Sequence, residues 1–157
     1  MSNRHLLFIC VAVAMFFSAC DAGILVDSNV IIPSRNWSYE NKLKVLVDVK
    51  DSSKPLDIYF KLRHTNDYRY SNIFILLHIK GAAAEKQTKR FEFTLAQPDG
   101  QWNGSGSGNL FTYTLPLLTN YKFPAPGKYE LEIEQNMRDN PLREISDAGI
   151  KVSQRGQ

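Results

Sequence analysis

The sequence predicts an all-β domain, an antiparallel sandwich of jelly-roll or immunoglobulin-like type with about seven or eight strands, carried on an N-terminal lipid-anchored tether. Three observations predict it. Apolar residues recur in short two-residue alternations, as in Leu56, Ile58, Phe60 and Leu62 against Asp57, Tyr59, Lys61 and Arg63. These runs are separated by clusters of Pro, Gly, Asp, Asn and Ser, the residues that build turns. Aromatic residues make up 11% of the chain and are mostly Phe and Tyr, which suit half-buried pleated strands better than helices.

Taken in order, Arg4 and His5 precede an apolar run, Leu6 to Phe17, that is shorter than the roughly 20 residues a bilayer-crossing helix needs. Small residues Ser18 and Ala19 then lead to Cys20, and Phe17-Ser18-Ala19-Cys20 resembles a lipobox, with Phe17 standing where leucine is commonest. Residues 1–19 are expected to be a removed signal, and Cys20 the diacylglyceryl anchor; ordinary secretion with Cys20 as a free thiol is the alternative. The other cysteine, Cys10, lies inside the removed run, so the mature chain holds no intramolecular disulfide. Several acyl chains on one cysteine, at about 0.8 kcal/mol per buried CH2, make such an anchor effectively permanent.

Residues 20–28 are read as tether and 29–157 as one sandwich domain. Val30 to Ile32, cut by Pro33, suits an edge strand. Trp37 follows and is expected to plug one end of the sandwich, a ligand platform being the competing role. Asn36-Trp37-Ser38 also matches a glycosylation sequon by chance. Leu43 to Val49 alternates cleanly, and Asp51 to Pro55 is its turn. Leu56 to Arg63 and Tyr68 to Ile79 are expected to form an antiparallel hairpin across a polar connection at His64 to Asp67. Gly81 to Lys89 is a polar connector, and Arg90 to Ala96 resumes the alternation.

Pro98 to Gly108 is a glycine-rich turn. Asp99, Gln101, Asn103 and Gly104 loosely match the start of a calcium loop, but Leu110 stands where the closing glutamate belongs. Gly104 and Gly106 are expected to need positive φ. Beyond it, Asn109 to Leu118 is a strand in which Pro116 marks an edge or a bulge. Lys128 to Met137 is a strand after the Pro124 to Gly127 turn, with Glu130, Glu132 and Glu134 on a solvated face. Arg138 to Ser146 is irregular, and Arg138 is expected to bind Asp147 across it. Ala148 to Ser153 closes the domain.

Chemistry-bearing patterns are sparse. A net charge of +3 is too small to point to nucleic acid. His64 and His78 stand outside any nucleophile motif, and two histidines without a nearby cysteine or helix-borne glutamate make a poor zinc site. His78 sits beside Leu77 and Ile79 as a core or sheet-face residue. Dispersed carboxylates of a hydrolase stay open, although nothing selects a pair.

Several motifs in order carry a resemblance. They are the Cys20 lipobox; the Trp37 region; Leu62-Arg63-His64-Thr65 leading into Tyr68-x-Tyr70-Ser71-Asn72-Ile73-Phe74; Phe93-Thr94-Leu95-Ala96; and Asp99-Gly100-Gln101-Trp102-Asn103-Gly104-Ser105-Gly106. Pro126-Gly127-Lys128-Tyr129 and Gln135-Asn136-Met137-Arg138 follow, running into Leu142-Arg143-x-Ile145-x-Asp147-x-Gly149. Together they are similar to the GldH family of gliding-motility lipoproteins of the Bacteroidota, over the whole mature chain. Gln97, where the family tends to be acidic, and Asn103, where it is usually apolar, depart from the pattern.

The resemblance implies an envelope component for gliding with no known enzymatic activity and no cofactor. Its partners would be the membrane and other motility or secretion proteins, and its location the outer membrane, with the inner membrane as alternative because Asp21 follows Cys20. Arg63, Tyr68, Asn72, Arg138 and Asp147 are read as structural, and Trp37, Trp102, Asp99, Gly104 and Gly106 as candidate loop or interaction positions. A glycan-binding module using exposed aromatics is the competing function, and a hydrolase the third.

Overall fold

The computed structural model describes residues 23–81 and 86–155. Cys20 and the signal segment lie outside the described residues. Eleven strands form among those described: β1 (Ile24–Ile31), β2 (Asn36–Trp37), β3 (Leu43–Val49), β4 (Leu56–Thr65), β5 (Asn72–Gly81), β6 (Gln87–Thr94), β7 (Ser105–Ser107), β8 (Leu110–Tyr121), β9 (Gly127–Gln135), β10 (Leu142–Arg143) and β11 (Ile145–Gln154). Eight of these are long, the number the alternating runs predict, and the short β2, β7 and β10 are additions.

Two antiparallel sheets face each other, one ordered β1-β11-β4-β8-β7 and the other β3-β9-β5-β6, with β2 and β10 paired as a separate ribbon. The core is where the inward parities meet. Ile58, Phe60 and Leu62 of β4 and Ile150 and Val152 of β11 come from one sheet, and Ile73, Ile75, Leu131 and Ile133 from the other; all are essentially inaccessible to water. A buried side chain of that size contributes about 1.5–3 kcal/mol, so this interlayer holds the sheets together.

The expected hairpin of Leu56–Arg63 with Tyr68–Ile79 does not form. β4 lies in the first sheet and β5 in the second, so Asn66–Ser71 is a corner crossing the core rather than a hairpin turn. The reason is symmetric burial: both strands carry an apolar face, and each finds the other's through the sandwich interior. Hydrogen bonding instead joins β5 to β6 and to β9, and β4 to β8 and to β11.

One further boundary moves. β1 begins at Ile24, inside the expected tether, because its backbone pairs with β11 from Ser153 to Asp147. Ile24-Leu25-Val26 is the apolar signal for it. Pro116 meets its expectation: the β4–β8 register shifts where Ile58 and Tyr59 face Leu118 and Pro116, and β7 pairs only with Leu110–Thr112, leaving the rest of β8 as an edge among the described residues.

The strand directions define two ends. Ile24, Gln154, Leu56 and Tyr121 neighbour one another at the end nearest the N-terminus. Thr65, Leu110 and Ile145 lie at the opposite end. A ten-residue strand such as β4 spans about 33 Å between them.

Candidate functional site

The opposite end is where the sequence concentrates unusual side chains. His64 continues the inward parity of β4 past Leu62 and is fully buried, not part of a polar connection. Around it stand Trp102, Tyr68, Tyr113 and Phe111, with ring centroids 4.5, 4.9, 5.3 and 5.9 Å away. Its Nδ1 is 2.7 Å from Thr65 O, and since a carbonyl only accepts, Nδ1 carries the hydrogen. Its Nε2 is 3.3 Å from the Tyr113 hydroxyl, which donates to Leu95 O at 2.9 Å. Burial pushes the His64 pKa below its ordinary value, against the opposing effect of the Thr65 carbonyl. The parity of positions 56, 58, 60, 62 and 64 was the signal that could have placed this ring in the core.

Trp102 is fixed from behind by this cluster. Its Nε1–H donates to Asn66 Oδ1 at 3.1 Å, its backbone pairs with Ala96, and the residue stays half-buried. Tyr68 is buried, donates to Asn72 O at 3.1 Å, and has its pKa raised chiefly by burial. Asn72 turns its side chain outward to Glu92 Oε1 at 2.8 Å. Trp37 is completely buried, donates to Asn41 O at 2.9 Å and tilts against Phe60 at 6.1 Å, so it packs the core and offers no face to a ligand.

Beside this cluster the loops at 67–70 and 138–144 enclose a groove of about 720 Å³. A second hollow, of about 540 Å³, continues it past the shared Arg69 and Tyr70 to Trp102 and Pro98. Arg138 stands exposed on the first groove with Arg69 and Arg143. The expected Arg138–Asp147 pair is absent. Asp147 is buried on β11 and accepts from Asn29 Nδ2 at 2.5 Å and Ser146 Oγ at 3.1 Å. Arg63 Nε lies 3.2 Å from its Oδ2, an ion pair whose N–H is not aimed at the oxygen. β4 lies beside β11, placing Arg63 opposite Asp147, whereas Arg138 belongs to the loop after β9. Two carboxylates in the groove are engaged: Asp139 accepts the Tyr70 hydroxyl at 2.5 Å, which raises the phenol's pKa, and Glu144 accepts from Thr65 Oγ1 at 2.7 Å with Arg35 at 3.6 Å.

The glycine-rich turn is built by its own polar groups. Asp99 Oδ1 accepts the Gln101 N–H at 3.0 Å, and Asn103 Oδ1 accepts Gln97 Nε2 at 2.6 Å. Those oxygens therefore hold the turn instead of converging on a cation. Positive φ occurs at Gly100 and Gly108 and not at Gly104 or Gly106, contrary to expectation. Gly104 is required for a different reason: a Cβ there would lie 2.6 Å from the Tyr113 ring and 3.0 Å from Thr112 O. At Gly106 the Phe111 ring would be 3.3 Å away.

The outer face of the second sheet carries a cross-strand charge ladder. Lys44 meets Glu132 at 2.7 Å and Lys42 meets Glu134 at 2.8 Å, so these glutamates are paired rather than simply solvated. The Lys44 bond draws the Glu132 carboxyl below its usual range. Burial works to raise Glu134, and bonds from Lys42 and His78 outweigh it. His78 also reaches Thr88 Oγ1 at 2.8 Å. Thr88, His78 and Glu134 thus stand in the order of a hydrolytic triad across the outer face of β6, β5 and β9, with Glu134 also held by Lys42. Among the described residues no group of three or more His, Cys, Asp or Glu is placed to hold a metal.

The model of the GldH lipoprotein family matches residues 25–152. The chain is 31% identical, over 97% of its own length and 97% of the relative's, to a gliding motility lipoprotein GldH homolog of Christiangramia forsetii. It is 26% identical, over 90% and 92%, to the gliding motility lipoprotein GldH of Flavobacterium johnsoniae. No solved structure matches.

Proposed function

Because the chain belongs to the GldH lipoprotein family, we propose that it is a non-enzymatic docking component of the gliding-motility envelope machinery, anchored through Cys20 in the outer membrane. The observation that carries this reading is the start of β1 at Ile24. Four residues of extended chain reach about 14 Å, so an acylated Cys20 would hold the Ile24–Gln154–Leu56 end against the membrane surface. The end bearing Trp102 and the arginine groove would then stand about 33 Å away, turned toward other envelope components. A short tether sets a height and an orientation, which docking needs and diffusible catalysis does not.

The test separates anchoring from orientation. Cys20→Ala should abolish palmitate labelling and move the protein from the membrane to the soluble fraction, with its circular dichroism unchanged. Inserting a flexible Gly/Ser spacer of about 20 residues after Asp21 should keep labelling and folding yet reduce colony spreading of a complemented gliding strain. Retention of the Cys20→Ala protein in membranes refutes the anchor, and full spreading with the spacer refutes the oriented-docking reading.

A further inference from the structure

We propose that the groove at the far end is a binding site for an acidic oligosaccharide, its sugar carboxylates held by Arg69, Arg138 and Arg143 and a sugar ring stacked on Trp102. The proposal names the ligand chemistry of the end that the docking reading turns away from the membrane.

Free guanidinium donors are the first argument. Arg69, Arg138 and Arg143 line one groove, and none makes an ion pair among the described residues. The lining carboxylates Asp67, Asp139 and Glu144 equal the arginines in number and keep their charge, but Asp139 is turned to Tyr70 and Glu144 to Thr65 and Arg35, so the three guanidinium forks keep their N–H donors free for a ligand. Elsewhere the chain neutralises its strand-borne glutamates with lysines, as at Lys42–Glu134 and Lys44–Glu132. An Arg fork matches a carboxylate with two parallel N–H bonds, and three forks around one hollow fit several carboxylates spaced along a chain.

Preorganised aromatic surface is the second. Trp102 is backed by His64 at 4.5 Å and pinned through Nε1 to Asn66, so ordering it costs little when a flat ring settles on its outer side. Its hollow joins the arginine groove through Arg69 and Tyr70.

The groove is poorly built for the competing occupant, an acidic peptide. Pro141 is its one aliphatic lining residue, so it has no apolar socket for an anchoring side chain. The strand beside it, β10, is two residues long and offers too short an edge to seat an extended peptide. The backbone N–H groups of Thr65, Tyr68, Gln97 and Gly100 bond within or between the loops, to Glu144 O, Thr65 O, Gln101 O and Gln97 O. The distance from the anchored end argues against a phospholipid headgroup of the anchoring bilayer.

Tryptophan emission tests this directly, because Trp37 is fully buried and Trp102 is the half-exposed reporter. The full-length protein in detergent is titrated with tetragalacturonate, maltotetraose and hexaglutamate. The acidic sugar should change the emission saturably and at least tenfold more tightly than the neutral one. Arg138→Ala/Arg143→Ala, with both sites exposed, should weaken it at least tenfold without changing the melting temperature. No saturable response to tetragalacturonate, an equal response to maltotetraose, or an undiminished response in the double variant overturns the proposal. A response to hexaglutamate alone overturns it in favour of a protein partner. None of these outcomes bears on Cys20, whose role is read from fractionation.

Discussion

Replacing His64 by alanine tests whether the far end is held by one buried ring. The imidazole is inaccessible to water and has four aromatic neighbours within 6 Å. Removing it would leave a void of about 60 Å³, which at about 24 cal/mol per Å³ costs about 1.5 kcal/mol. Lost ring contacts with Trp102 and Tyr113 cost about 1 kcal/mol more, and the Thr65 carbonyl left without its donor another 1 or so. The expected loss is about 3.5 kcal/mol, or a fall of about 10 °C in melting temperature for a domain of this size.

The pH dependence supplies a second reading of the same residue. Burial lowers the folded-state pKa of His64 below its ordinary 6.5, so the unfolded chain binds the proton more readily. The neutral ring's contribution is therefore complete above the unfolded-state value and falls away as pH drops through it toward the lower folded value. Urea denaturation followed by circular dichroism at pH 7.5 and 5.5 should show the wild type losing stability on acidification. His64→Ala should be weaker at both pH values, with a flatter dependence. A loss under 1 kcal/mol at pH 7.5, or an unchanged pH slope in the variant, would refute the reasoning.

Two glycines give further checks. In Gly149→Ala the new Cβ falls on the Ser28 backbone oxygen and within 3.0 Å of Asn29 Cα, so β1 must leave β11 and the Asn29–Asp147 bond must break. The expected cost is about 3 kcal/mol, with amide exchange accelerating in Ile24–Ile31 first; protection there equal to wild type would show that the edge tolerates the methyl. Gly104→Ala drives a methyl into the Tyr113 ring and should cost about 2 kcal/mol and alter Trp102 emission, whereas Gly100→Ala has open space around it at φ +89° and should cost only about 1 kcal/mol. Equal melting shifts for the pair would overturn this assignment of their roles.

Local pattern determined most of the strand content. The period of two in Leu43–Val49, Leu56–Leu62 and Tyr129–Ile133 assigns inward and outward sides without reference to any partner, because adjacent strand residues face opposite ways. It also determined the turns at Asp51–Pro55 and Pro124–Gly127, where backbone chemistry is local, and the motif order that identifies the family. Partnering was not legible. Whether β4 pairs with β5 or faces it across the core depends on which apolar surfaces remain uncovered once every strand is placed, and the same alternation satisfies either arrangement. The edge strand was only half read: Ile24–Val26 is short and irregularly buried, and backbone bonds to β11 hold it. The candidate site belongs to the tertiary structure for the same reason. Arg69 lies in one loop, and Arg138 and Arg143, in a loop and on β10, lie about 70 residues further on; only the sandwich, by turning the ends of β4 and β9 the same way, brings their charges to one groove. Arg138 shows the limit: its sequence position suggested a bond to Asp147, but the pairing of β11 with β4 gave that carboxylate to Arg63 and left Arg138 facing solvent.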